Sequence, residues 1–148
     1  MKSFVKGKDV FVALPTGYDK LMCYALVPTV FDKMKDLTDG ALVCLIVSPL
    51  IALMKDHSVA FTDKGISAGF VSDKESTGKE TRRKILRGEY QLVFISPESL
   101  FVGTEWRRML SGDRYRNHLV GSVVDEAHCV KKWYVIDVER HVFSYSYN

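Results

Sequence analysis

Cysteine, proline and tryptophan are scarce in this chain: its 148 residues hold three Cys, four Pro and two Trp. Cys23, Cys44 and Cys129 are odd in number, widely scattered and without a CxxC or His-rich neighbourhood. That excludes a disulfide framework and a zinc site, and is the pattern expected of reduced, intracellular thiols. His57, His118 and His141 share no ligand-like spacing with one another or with the cysteines. Long hydrophobic runs are missing too. The most apolar stretch, Ala41–Met54, is interrupted by Ser48-Pro49 and is too short to cross a bilayer. The opening MKSFVKGKDV has no apolar stretch of signal-peptide length, so no export signal is expected. Neither charge sign dominates: 21 Lys and Arg stand against 18 acidic residues, and a net charge of +3 does not by itself call for a nucleic-acid partner. No internal repeat and no low-complexity segment is present.

What is present is a core-forming fraction: 47% of residues are hydrophobic, enough for one globular domain. Asp9–Leu14 (DVFVAL), Ala41–Val47 (ALVCLIV), Ile66–Val71, Gln91–Ile95 (QLVFI) and Leu119–Val124 (LVGSVV) read as short buried strands. Helical patterns lie between them. From Lys20 onward, Cys23, Leu26, Val27, Val30, Phe31, Met34 and Leu37 trace one helix face, with a kink predicted at Pro28. Further helices are expected over Leu50–Lys64 and Thr77–Arg87. The latter carries Lys79, Arg82, Arg83, Lys84 and Arg87 against Glu80 alone, a basic face whose simplest reading is a solvated surface helix. Trp106 beside Arg107 and Arg108 reads as a helix packing onto its own domain. Continuous apolar strands alternating with helices predict an α/β domain of three layers with a mostly parallel sheet.

In such a sheet ligands bind at the carboxyl ends of the strands. The polar punctuation falls there: Thr16-Gly17 and Lys20, Ser48-Pro49, Ser96-Pro97-Glu98, and Asp125-Glu126. A strand, a glycine-containing loop and a helix form an anion site, because backbone N–H groups and the helix dipole converge on the loop. Leu14-Pro15-Thr16-Gly17-Tyr18-Asp19-Lys20-Leu21 occupies that place but keeps only the lysine of the G-x-x-x-x-G-K-[ST] phosphate loop. Asp125-Glu126-Ala127-His128, directly after an apolar strand, stands where a metal-bound nucleotide needs one carboxylate for Mg²⁺ and a neighbour to orient water.

The stretches KGKDVFVALPTGY, IVSPLIALMKDH, GISAGFV, LVFISPESL and DEAHCVKKW resemble, in order, consecutive motifs of the RecQ family of superfamily 2 helicases, from about Phe4 to Trp133. The resemblance implies a RecA-like ATP-binding domain over residues 1–133 with a divergent tail over 134–148. It also implies an ATP-driven motor that unwinds DNA with 3′-to-5′ polarity, with ATP and Mg²⁺ as cofactors and single-stranded or partly duplex DNA as partner. A nuclear location and no membrane association go with it. It assigns Lys20, with Pro15, Thr16, Gly17, Tyr18, Asp19 and Leu21 around it, to the nucleotide phosphates. Asp125 falls to Mg²⁺, Glu126 to the attacking water and His128 to coupling with DNA. Ser48, Pro49, Leu50, Ser96 and Pro97 would follow a single-strand backbone, and Lys131 and Trp133 would belong to a DNA-sensing loop.

The departures point the other way. Asp19 stands where the family has glycine, and Leu21 where it has a hydroxyl. One sets a carboxylate beside a triphosphate; the other cannot ligate Mg²⁺. The upstream glutamine motif, the continuation after Trp133 and the second motor lobe with its arginine finger are expected to be missing. Impaired hydrolysis is therefore expected, and a non-catalytic interaction module or a decayed gene product remain open beside the enzyme.

Overall fold

The computed structural model describes residues 2–13, 20–38, 40–73 and 77–126. Helices α1 (Lys2–Val5) and α2 (Lys20–Met34) lead into β1 (Val43–Val47), followed by α3 (Ile51–Asp63) and β2 (Ala68–Val71). Then come α4 (Lys79–Leu86), β3 (Leu92–Ile95), α5 (Pro97–Val102), α6 (Thr104–Ser111), α7 (Asp113–His118) and β4 (Leu119–Val124). The four strands form one sheet in the order β2-β3-β1-β4, and every pairing is parallel. The expected α/β architecture is thus the observed one, with four of the five expected strands in place.

Alternation along β1 divides the core into two halves. Val43, Leu45 and Val47 face one side with Val93 and Ile95, packed against Ile85, Leu100, Trp106, Met109 and Tyr115 of α4 to α7. Cys44 and Ile46 face the other side with Leu92 and Phe94, against Tyr24, Val27, Met54 and Phe61 of α2 and α3. Every β1 side chain is buried, as a central parallel strand requires. Tyr115 ties α7 to α4 by donating its hydroxyl to the Ile85 carbonyl at 2.6 Å.

Two expectations fail. Residues 9–13 of the expected first strand form no strand and are exposed, Phe11 to 84%. Their β-branched composition suits a strand, but a strand exists only through ladder partners, and the pairs recorded for β4 are all with β1. Leu14 lies outside the described residues. Of the expected inner face, Cys23, Leu26 and Met34 on α2 and Leu37 beyond its end are exposed, whereas Tyr24, Ala25, Val27, Pro28 and Asp32 are buried. Burial of Asp32 has a clear cause. Its carboxylate accepts the Gly40 N–H at 2.9 Å and the Leu42 N–H at 3.1 Å, fastening the end of α2 to the start of β1. On β4, Gly121 admits the Phe4 ring: a Cβ there would lie 2.5 Å from it.

Replacement Asp32→Ala strands the buried Leu42 N–H and the half-buried Gly40 N–H, so a loss of about 1–3 kcal/mol is expected in urea unfolding. At Cys44, burial pushes the thiol up from 9.0 to about 12. In the unfolded chain this thiol ionises first, so its contribution to stability is complete below pH 9.0 and is lost as pH rises toward about 12. Alkylation of the native protein at pH 8 followed by mass spectrometry should modify the exposed Cys23 and spare Cys44 until denaturant is added.

Candidate nucleotide and nucleic-acid edge

The carboxyl ends of three adjacent strands each lead into a polar residue. In register, Val47 lies opposite Ile95 on one side and Val124 on the other. The ladder runs one residue further. Ser48 N–H donates to the Ile95 carbonyl at 3.1 Å, and Asp125 N–H donates to the Val47 carbonyl at 2.9 Å. Ser96 N–H donates to the Val71 carbonyl at 3.2 Å. Ser96, Ser48 and Asp125 therefore stand side by side, each about one strand spacing, ~4.8 Å, from the next.

Lys20 reaches the same edge by topology. Helix α2 packs on β1 and β4, and its far end is pinned by Asp32 to the amino end of β1. It therefore runs antiparallel to the strands and brings its first residue, the exposed Lys20, to the carboxyl side. Leu21 follows, half-buried against the α2 and α3 core. Pro15, Thr16, Gly17, Tyr18 and Asp19 lie outside the described residues, as do His128, Lys131 and Trp133, Cys129 and His141, and the tail over 134–148.

At the end of β4, Asp125 is half-buried and one of its oxygens, Oδ1, accepts the Glu126 N–H at 3.0 Å. The turn places Glu126 at φ 52°, a left-handed conformation that non-glycine residues seldom adopt. Asp125 Oδ2 has no partner among the described residues. No group of three or more His, Cys, Asp or Glu is gathered into a metal cage among the described residues. A lone carboxylate with a free oxygen suits Mg²⁺, which is commonly held by one or two carboxylates together with phosphate oxygens and water.

The serines are less accessible than their sequence positions suggest. Ser48 is 2% exposed, and its hydroxyl has no hydrogen-bond partner among the described residues. Ser96 is buried and turned inward as the N-cap of α5: its Oγ accepts the Ser99 N–H at 3.2 Å and donates to Asp73 Oδ1 at 3.3 Å. Pro97 is buried in the first turn and Pro49 half-buried, while Leu50 is exposed. Ser96-Pro97-Glu98 opens a helix and is not loop punctuation. Its order is that of an N-cap, a first-turn proline and an early acid, the signal by which α5 was legible.

The basic stretch of α4 and its cap is partly neutralised, Lys79 and Lys84 having no ion pair among the described residues. Arg82 pairs with Glu105, Arg83 with Glu80 and Arg87 with Glu89. Arg82 also lies 5.7 Å from the Trp106 ring centroid, and Trp106 is buried on its own domain as expected. His57 lies against Phe94, and His118 Nδ1 is 2.8 Å from the Arg114 carbonyl, both structural settings. No described helix is long and apolar enough to cross a membrane.

A family model described as DEAD/DEAH box helicase matches residues 1–145. The chain is 37% identical over 131 residues to the ATP-dependent helicase SGS1 of Saccharomyces cerevisiae, covering 87% of this chain and 9% of that protein. It is 33% identical over 122 residues to the ATP-dependent DNA helicase RecQ of Bacillus subtilis, covering 81% of this chain and 18% of the relative. Against the ATP-dependent DNA helicase RecQ of Haemophilus influenzae the identity is 28% over 131 residues, covering 87% and 19%. The chain thus spans less than a fifth of the length of these relatives. With an all-parallel sheet, and with Lys20 at the head of α2 and an Asp-Glu turn on one edge, the chain belongs to the DEAD/DEAH box helicase family, and its likeness within that family is to the RecQ type.

Proposed function

We propose that residues 1–133 are the RecA-like, nucleotide-binding lobe of an ATP-dependent, 3′-to-5′ DNA helicase, with residues 134–148 as a divergent tail. The observation that carries this reading is the row Ser96, Ser48, Asp125 across three strand ends, with Lys20 brought to the same edge by α2. Lys20 attracts the phosphates. Asp125 offers its free Oδ2 to Mg²⁺, Glu126 holds water for attack, and His128 couples the turn to DNA. When bound, the magnesium nucleotide supplies the phosphoryl group whose transfer drives the cycle. Because the hydroxyls of Ser48 and Ser96 are buried, contact with a single strand falls to the main chain of Ser48-Pro49 and Ser96-Pro97 and to the exposed Leu50. Lys131 and Trp133 extend that track, with single-stranded or partly duplex DNA as partner. A nuclear location accompanies the same reading.

Within these 148 residues the motor is silent on this account. Asp19 opposes the anion that Lys20 attracts, and Leu21 removes a hydroxyl ligand of the metal. One lobe alone presents no arginine to the transferred group, a residue worth ~10³–10⁵ in rate where it is used. Asp19 and Leu21 equally favour a second reading, an interaction module that binds nucleic acid without turnover.

Phosphate release by the purified chain with single-stranded DNA should stay at background. The double replacement Asp19→Gly with Leu21→Ser should tighten Mg-ATP binding while turnover remains poor. Robust hydrolysis by the unmodified chain would overturn the silent-motor reading. Single-strand binding should be weak and should fall steeply between about 50 and 200 mM salt, as backbone-dominated binding does. Absence of binding at low salt would remove nucleic acid from the account.

A further inference from the structure

Beyond the strand-end row, at the β2 side of the sheet, lies a cavity of about 560 Å³. It lies within the size range of small-molecule sites, roughly 300–1,000 Å³. Val71, Val102 and Trp106 give it apolar walls, and Gly103 has no room for a side chain, since a Cβ there would meet the Ser99 carbonyl at 2.4 Å. The polar lining is rich in acceptors. Among the described residues Glu98 has no ion-pair or hydrogen-bond partner and the buried Thr77 hydroxyl has none either, while Asp73 is bonded to Ser96. Arg82, the cation of the lining among the described residues, is already held by Glu105 and the Trp106 ring.

That balance repels phosphate and favours a flat, apolar body with N–H donors on its edge. Continuity names the source: the cavity opens beside the Ser96-Pro97-Glu98 corner, and Asp73 bonds directly to Ser96. We propose that this cavity takes one unstacked, amino-bearing base from a single strand lying along that corner, with Glu98 and Asp73 accepting from its exocyclic amine. Carboxylates accept from the two N–H groups of the cytosine amine, whereas thymine has no exocyclic amine and offers one N3–H set between two carbonyl oxygens that repel a carboxylate. The chain then has a base preference, although backbone-dominated single-strand binding is largely indifferent to sequence. This inference rests on the nucleic-acid reading above.

The test compares oligo-dC with oligo-dT of equal length on the 148-residue chain at low salt, by fluorescence anisotropy. The expected result is a preference for dC of about fivefold or more. Glu98→Gln, whose amide can donate, should erase the preference while leaving dT affinity equal or raised. Thr77→Val, nearly isosteric, should reduce the preference with the fold intact by circular dichroism. Equal affinity for dC and dT would overturn the base site while leaving the nucleic-acid surface standing. No binding of either would sink both readings together. Tight binding of a short arginine-rich peptide with no base preference would assign the cavity to a protein partner and overturn the proposal.

Discussion

Strand β1 is closed in on all sides: its five side chains are buried, β3 and β4 bond to its two edges, and helices cover both faces. No water reaches its amides, so each must find a partner in a neighbouring strand, and that requirement fixes the register on both sides at once. Where β1 ends, β3 and β4 end with it. The alignment of Ser48 between Ser96 and Asp125 is therefore a consequence of the core, not of any bond among the three side chains. Burial of Val43 to Val47 sets where the chemistry stands.

Electrostatics then distinguishes two regions of that edge. At the β4 end, Lys20 and Asp125 suit a metal-bound anion. At the β2 end two cations are tied up, Arg82 by Glu105 and Arg83 by Glu80, and acceptors line the cavity beside Trp106. Exposed ion pairs of this kind add little stability, commonly below about 1 kcal/mol. Their larger effect is to weaken the positive field that would otherwise draw phosphate to α4. One sheet edge can thus offer phosphate-attracting and base-accepting regions a few strand spacings apart.

Much of this was legible in the sequence because parallel strands are written as continuous apolar runs. ALVCLIV, QLVFI and LVGSVV became β1, β3 and β4 with ends displaced by two residues or fewer. Four features were not legible, each for a physical reason. DVFVA carries strand composition, but composition supplies no hydrogen-bonding partner. Helix α2 is apolar on much of its circumference, so periodicity could not choose its inner face; the backbone donors of Gly40 and Leu42 chose it by drawing in Asp32. The hydroxyls of Ser48 and Ser96 occupy the expected strand ends but face inward, since a motif gives position along the chain and not side-chain direction. The Asp125-Glu126 turn was placed correctly, whereas the left-handed Glu126 backbone has no sequence signal.

The central claim, that the carboxyl edge is the working edge, is tested most directly by amide chemical shifts of the ¹⁵N-labelled chain titrated with Mg-ATP and with a short single-stranded oligonucleotide. The account predicts that nucleotide perturbs Lys20 to Cys23 together with Asp125 and Glu126, and that the oligonucleotide perturbs Ser48 to Ile51 and Ser96 to Ser99. Perturbations concentrated instead at the opposite edge, around Asp32, Gly40, Gln91 and Leu119, would contradict it.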